Sequence, residues 1–270
     1  MRRNESLLMQ KLTVEGIGGK ISQAGRLKTR PLCIYGSETV PEDSKPTKSM
    51  NRCIAQAIFT LAVSDELKSI HIGNDELKGC CPGGLAWFGF KEFLPMLKYF
   101  LSTGIQEFRN GAAEFLVANP DLAEQRIKTV GKIRPLGKYI IIRTCKNTPN
   151  DIYPASILCF GEAEQIRNLA TLICFSAVEA FELIKMPFGP SCGSFVTFPS
   201  GMAENTPKDC VILGPTDPTG NHWFPPNYLS LGIPIGIAQR ISADLDDSFI
   251  IKRPMVAYPE KRTIFKSLKD

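Results

Sequence analysis

"KYIIIRTCKNTPNDIYPASILCFG", residues 138–161, decides how the rest of the chain is read. Two short apolar runs, 138–145 and 154–161, are separated by a polar, proline-bearing turn, and the second closes on a glycine. Runs this short, rich in isoleucine and bounded by turn residues, predict buried strands. Behind them the apolar positions Ile166, Ala170, Ile173, Ala177, Phe181 and Ile184 recur at helical spacing, which predicts one long helix over 162–184. A strand, a turn, a strand and a helix in this order indicate an α/β (or α+β) chain with a mixed sheet and helices packed on it.

Working outward, the same signals recur. "PLCIYG" at 31–36 predicts a strand, and 48–63 a helix with Met50, Cys53, Ile54, Ala57, Ile58 and Leu61 on its apolar side, capped by Thr47 or Ser49. "SIHIG" at 69–73 alternates like a strand, with Ile70 and Ile72 on one face and His71 on the other. Helical segments are expected near 94–101, 111–118 and 120–130, the last with Asn119 as cap and Pro120 at the first helical position. "CVILG" at 210–214 reads as a strand, and a helix is expected over 234–245. "GIGGK" at 16–20 lacks the P-loop pattern, having Val14 and Ile21 where a glycine and a Ser or Thr are required, and reads as a flexible turn. The expected organisation is one domain over 1–270. It comprises an N-terminal helix and loop over 1–28, an α/β core over 29–250 and a basic tail over 251–270. Within the core, 29–130 and 138–250 read as two halves. Each runs from a glycine-closed strand through a cysteine-bearing helix to a glycine–cysteine turn. This matches Cys53 with Cys174 and the 79–84 turn with the 189–193 turn.

Composition narrows the function classes. Across 270 residues, 43% are hydrophobic and 22% charged, which suits a globular chain with a sizeable core. The net charge of +5 is spread along the chain, with dense basic stretches only at the ends (Arg2 and Arg3; Lys261, Arg262, Lys266 and Lys269), so no nucleic-acid footprint is expected. No apolar run is long enough for a bilayer span, the start is unlike a signal peptide, and a cytoplasmic setting without membrane attachment is expected. Nine cysteines, an odd number at irregular spacing, then read as thiols rather than a disulfide framework.

Cysteine carries the chemistry candidates. Cys33, Cys145, Cys159, Cys174 and Cys210 fall inside strands or helices, where cysteine acts as a small hydrophobe. Cys80, Cys81 and Cys192 lie in glycine turns, "GCCPGG" at 79–84 and "GPSCGS" at 189–194. A helix starting at Pro82 would place Cys80 and Cys81 at its positive end and favour the thiolate, a nucleophile and soft-metal ligand. Cys81 and Cys192 are therefore catalytic candidates, and His222, in the long loop at 215–228, is a candidate partner base. Cys53, Cys80, Cys81 and Cys192 together form a candidate set for a metal ion or iron–sulfur cluster, although no C-x-x-C pair supports one. Gly83, Gly84 and Gly193 would offer backbone N–H groups to a ligand.

"RPLCIYG" (30–36), "NRCIAQA" (51–57), "GCCPGGLAWFGF" (79–90), "FGPSCGSFV" (188–196) and "DPTGNHWFPPNYLSLGIP" (217–234), in this order, resemble a prokaryotic family known only as domain of unknown function 169. The resemblance spans about 25–245 and implies a single α/β chain from a bacterial or archaeal cytoplasm, without naming a reaction. Its cysteine and glycine motifs fall on Cys53, Cys81, Gly83, Gly84 and Cys192, and the doubled cysteine leaves Cys80 as an alternative to Cys81. Two function classes follow. One is a thiol- or metal-dependent protein whose Cys53, Cys81 and Cys192 meet in a pocket covered by the 215–228 loop. The other binds a small molecule or anion through its glycine turns, without catalysis. A small-molecule partner is expected in both, and a homo-oligomer is compatible with either.

Overall fold

A computed structural model describes residues 12–50, 53–74, 83–179, 181–217 and 222–260. Its strands are β1 (Leu32–Ser37), β2 (Ser44–Pro46), β3 (Ser69–Gly73), β4 (Tyr139–Thr144), β5 (Ser156–Glu162), β6 (Ile184–Lys185), β7 (Val211–Gly214) and β8 (Tyr228–Pro234). They form one eight-stranded mixed sheet in the order β2-β3-β4-β1-β5-β8-β7-β6. The fold is α/β. The helices are α1 (Val14–Gly25), α2 (Ile54–Val63), α3 (Gly84–Trp87), α4 (Leu97–Leu101), α5 (Pro120–Val130), α6 (Ala163–Ile173), α7 (Ile235–Asp244), α8 (Phe249–Lys252) and α9 (Pro254–Ala257).

The strand order repeats. Outward from the central contact, one side reads first, fourth, third and second strand of 32–144, and the other reads the same for 156–234. The pairings match as well. β2–β3 and β6–β7 are parallel, while β3–β4, β4–β1, β7–β8 and β8–β5 are antiparallel. The two sets meet where β1 pairs antiparallel with β5 through Leu32 opposite Leu158, Cys33 opposite Ile157 and Ile34 opposite Ser156. β4 closes the first set, so the break falls between 144 and 156 rather than between 130 and 138 as the sequence suggests.

Each face of the sheet has its own core. On one, α1, α6 and α7 cover Cys33, Ile141, Cys145, Ile157, Cys159, Leu231 and Ile233. α1 runs straight through "GIGGK", which is therefore helix and not a flexible turn. Thr13 caps it by accepting from Gly16 N–H at 3.1 Å. A Cβ on Gly18 would lie 2.4 Å from Cys145 Cβ, so the glycine lets the helix settle onto the sheet. On the other face, α2 packs with Phe160, Phe195, Phe198, Trp87 and Phe88. The buried Arg143 of β4 is neutralised by both carboxylate oxygens of Asp43, as a buried charge requires.

Several expected elements change at their ends. The helix expected over 162–184 stops at Ile173, with exposed Cys174 as its C-cap. Beyond it Val178 and Phe181 are almost fully exposed, while Ile184 joins β6 and packs on the core. Residues 112–118 are not helical; Gly104, Asn110, Gly111 and Phe115 have positive φ and turn the chain repeatedly. α2 begins at Ile54, making exposed Cys53 its N-cap in place of Thr47 or Ser49. "GSFVT" at 193–197, directly after the glycine–cysteine turn, forms a π-helix closed by Phe198 N–H to Gly193 O at 2.9 Å.

Candidate functional site

The α2 face contains a cavity of about 490 Å³. Its outer wall comes from the excursion between β3 and β4: Gly83 and Trp87, then Leu97, Phe100, Leu101 and Leu116, then Ile127 and Val130 of α5. Its inner wall comes from the second half, through Lys185, residues 187–192 and Phe198, with Asp217 from the segment after β7.

Local rules place these pieces. α5 is fixed at its start by Asn119, whose Oδ1 accepts from Leu122 N–H at 2.9 Å. It is joined to α4 by Lys98–Glu124 at 2.6 Å. Lys128 also reaches Glu124, at 2.8 Å, and the two lysines, Lys128 foremost, hold that carboxyl down at about 2. The π-helix is pinned by Thr197, whose hydroxyl donates to Trp87 O, and by tight packing of Gly193. A Cβ on Gly193 would come within 3.1 Å of the Trp87 ring and 3.0 Å of Phe198.

Cys53 and Cys192 line this same cavity. Each stands at the N-cap of the helical element between the second and third strands of its set: Cys53 before α2, Cys192 before the π-helix. The fold therefore matches Cys192 with Cys53, where the sequence matches Cys53 with Cys174 and the 189–193 turn with the 79–84 turn. Cys192 is buried and Cys53 exposed.

The remaining candidates separate. Cys80 and Cys81 lie outside the described residues; α3 runs from Gly84 with Gly83 as its N-cap. Gly83 lines the cavity; Gly84 is buried and does not. Gly193 is no backbone donor for a ligand, because its N–H already donates to Pro190 O at 2.9 Å. His222 is exposed and is not on the cavity wall that Cys192 lines. Of the described residues of the loop that carries it, Trp223 and Phe224 pack on Phe59, at ring separations of 6.0 and 5.0 Å, while Asp217 reaches the wall. Among the described residues, no group of three or more His, Cys, Asp or Glu side chains could hold a metal.

Cys33, Cys145, Cys159 and Cys210 are buried, as expected of core thiols. Burial pushes Cys159 up to about 12 and Cys145 well above the ordinary thiol range. His71 is packed, its Nδ1 at 3.1 Å from Ser44 Oγ and its ring edge-on to Tyr139.

The sequence gives no sign of Arg126 or Phe188 as wall residues. Arg126 lies in the charged stretch "AEQRIK" and reads as solvated surface; its guanidinium stands 4.8 Å from the centre of the Phe188 ring, a contact 62 residues distant in the chain. Only the fold brings the two together.

No helix among the described residues is long and apolar enough to cross a membrane. No curated protein and no solved structure matches the chain. The family model described as uncharacterised ArCR, domain of unknown function 169, matches residues 20–244, which include both sets of strands and both cavity walls; the chain belongs to that family.

Proposed function

We propose that the protein binds a small, largely apolar molecule in the cavity between its two halves, where that molecule meets the thiols of Cys53 and Cys192. The observation that carries this reading is one cavity, about 490 Å³, walled by aromatic and aliphatic side chains and by the two topologically matched cysteines. That volume lies within the ~300–1,000 Å³ of small-molecule sites, and an apolar wall with a few polar groups is their usual construction.

Labelling of thiols in the full chain tests it, with anilinonaphthalene sulfonate as the probe ligand and Cys174, exposed and off the wall, as the internal control. Bound probe is expected to slow iodoacetamide labelling of Cys53 at least tenfold and to leave Cys174 unchanged, read by peptide mass spectrometry. Equal rates at Cys53 with and without probe would sink the reading.

A second reading is thiol chemistry on the bound molecule, favoured by the arrival of Cys53 and Cys192 at one wall from different halves. A metal or cluster would have to draw on Cys80 or Cys81. Anaerobic purification followed by metal analysis and a visible spectrum tests that version; a colourless, metal-free protein with slowly alkylated thiols overturns it.

A further inference from the structure

Resting on the cavity reading above, we infer that the ligand is an amphipathic anion, an apolar body with one carboxylate or phosphate head, and that Arg126 at the cavity mouth binds the head. Four charged side chains line the cavity: Glu114, Arg126, Lys185 and Asp217. Lys185 is neutralised by Glu182. Glu114 and Asp217 already interact with other groups. Arg126 differs. Among the described residues its guanidinium has no carboxylate partner and rests on the face of Phe188, 4.8 Å from the ring centre.

The neighbouring charges sharpen the contrast. Glu124, two residues back and therefore on the other side of α5, is held by Lys98 and Lys128 and is not available to Arg126. Stacking on Phe188 restrains the guanidinium plane while leaving its N–H edge open, the arrangement suited to paired hydrogen bonds with a carboxylate or phosphate. Both residues are exposed where the wall meets solvent, whereas Trp87 of the outer wall and Phe198 and Ile212 across from it are buried. An anionic head can therefore stay at the wet rim while an apolar body fills the interior. A buried carboxylate would be costly, and this geometry avoids burying one.

Calorimetric titration of the full chain with four ten-carbon probes tests the inference: decanoate, decyl phosphate, decanol and decylamine. The acid or the phosphate is expected to bind about tenfold more tightly than decanol, the scale of one charge-assisted hydrogen-bonded pair at a partly exposed site. Whichever of the two binds more tightly identifies the head. In Arg126→Gln that preference should disappear while decanol affinity stays within twofold, which separates loss of the head contact from loss of the fold. Equal binding of decanol and both anions, tighter binding of decylamine, or an anion preference that survives Arg126→Gln would each overturn the inference and leave the cavity reading standing. Failure of all four probes to bind would overturn both.

Discussion

Residues 32–144 and 156–234 lay down four strands each in one order. Yet Cys53 opens a ten-residue α-helix in the first set, and Cys192 opens a five-residue π-helix in the second. The connections differ still more. Between its third and fourth strands the first set inserts 74–138, with α3, α4 and α5, while the second inserts only 215–227. A shared topology fixes where the two cysteines sit. The unequal insertions decide what surrounds them: the long one builds an outer wall, and it faces an inner surface that includes Cys192 and Phe198, the residues flanking the π-helix. The cavity is thus a product of the asymmetry between the halves.

The largest expected effect tests whether the π-helix is held as firmly as α2. Phe195 is fully buried and meets Phe160 edge-on at 5.0 Å. Phe195→Ala should lower unfolding free energy by about 3–5 kcal/mol in urea titration, against about 2–5 kcal/mol for Ile58→Ala in α2. A loss under ~1 kcal/mol at Phe195 would mean that the second half tolerates a loose π-helix and that the two elements are not held alike.

The next effect separates the two seam strands. Burial raises Cys159 of β5 from 9.0 to about 12, whereas the Cys145 hydrogen bond lowers Cys33 of β1. Below pH 9 the Cys159 thiol is protonated in both folded and unfolded chains, so pH has no leverage through it. Between pH 9 and about 12 the unfolded chain releases a proton that the folded chain keeps, so stability falls as pH rises, by up to ~1.4 kcal/mol per pH unit. Cys159→Val should flatten the fall in urea midpoint across that window. An unchanged slope would remove Cys159 as its source.

The smallest effect concerns the outer wall. Asn119→Ala removes the cap of α5 and should cost about 1 kcal/mol, with little change in the labelling rate of buried Cys145. A large increase in Cys145 labelling would show that the excursion and the sheet unfold together.

Much of this architecture is legible in local sequence. β1, β4, β5 and β7 are short apolar runs, and α5 announces itself through Asn119 and Pro120. What escapes is set by distant contacts. "GIGGK" is helical because Gly18 meets Cys145, across more than a hundred residues. The apolar stripe of α6 continues in sequence to Ile184, but the helix ends at Ile173 and Ile184 packs on the core from strand β6 instead. "SFVTF" has strand composition, yet Trp87 and Phe198 close on Gly193 and hold the segment in a π-helix. A repeat is visible in the order of motifs, but its true matching, Cys53 with Cys192, is carried by strand pairing, which local spacing does not encode. For the site, the cysteines and Gly83 can be picked out as candidates from composition and turns; Arg126 on Phe188 cannot, because each looks ordinary until the two are adjacent.

The seam between β1 and β5 bears on how the chain is made. Leu32, Cys33 and Ile34 reach their partners only at residues 156–158, so during synthesis the first four strands can pair among themselves while one edge of β1 stays open. That edge, Leu32–Ile34, is apolar, and it stays open until residues 156–158 follow the end of β4 at Thr144. A nascent chain stalled in that interval presents a ready template for the β5 of a neighbouring copy, so exchange of whole halves between two chains is the misassembly this fold must outrun.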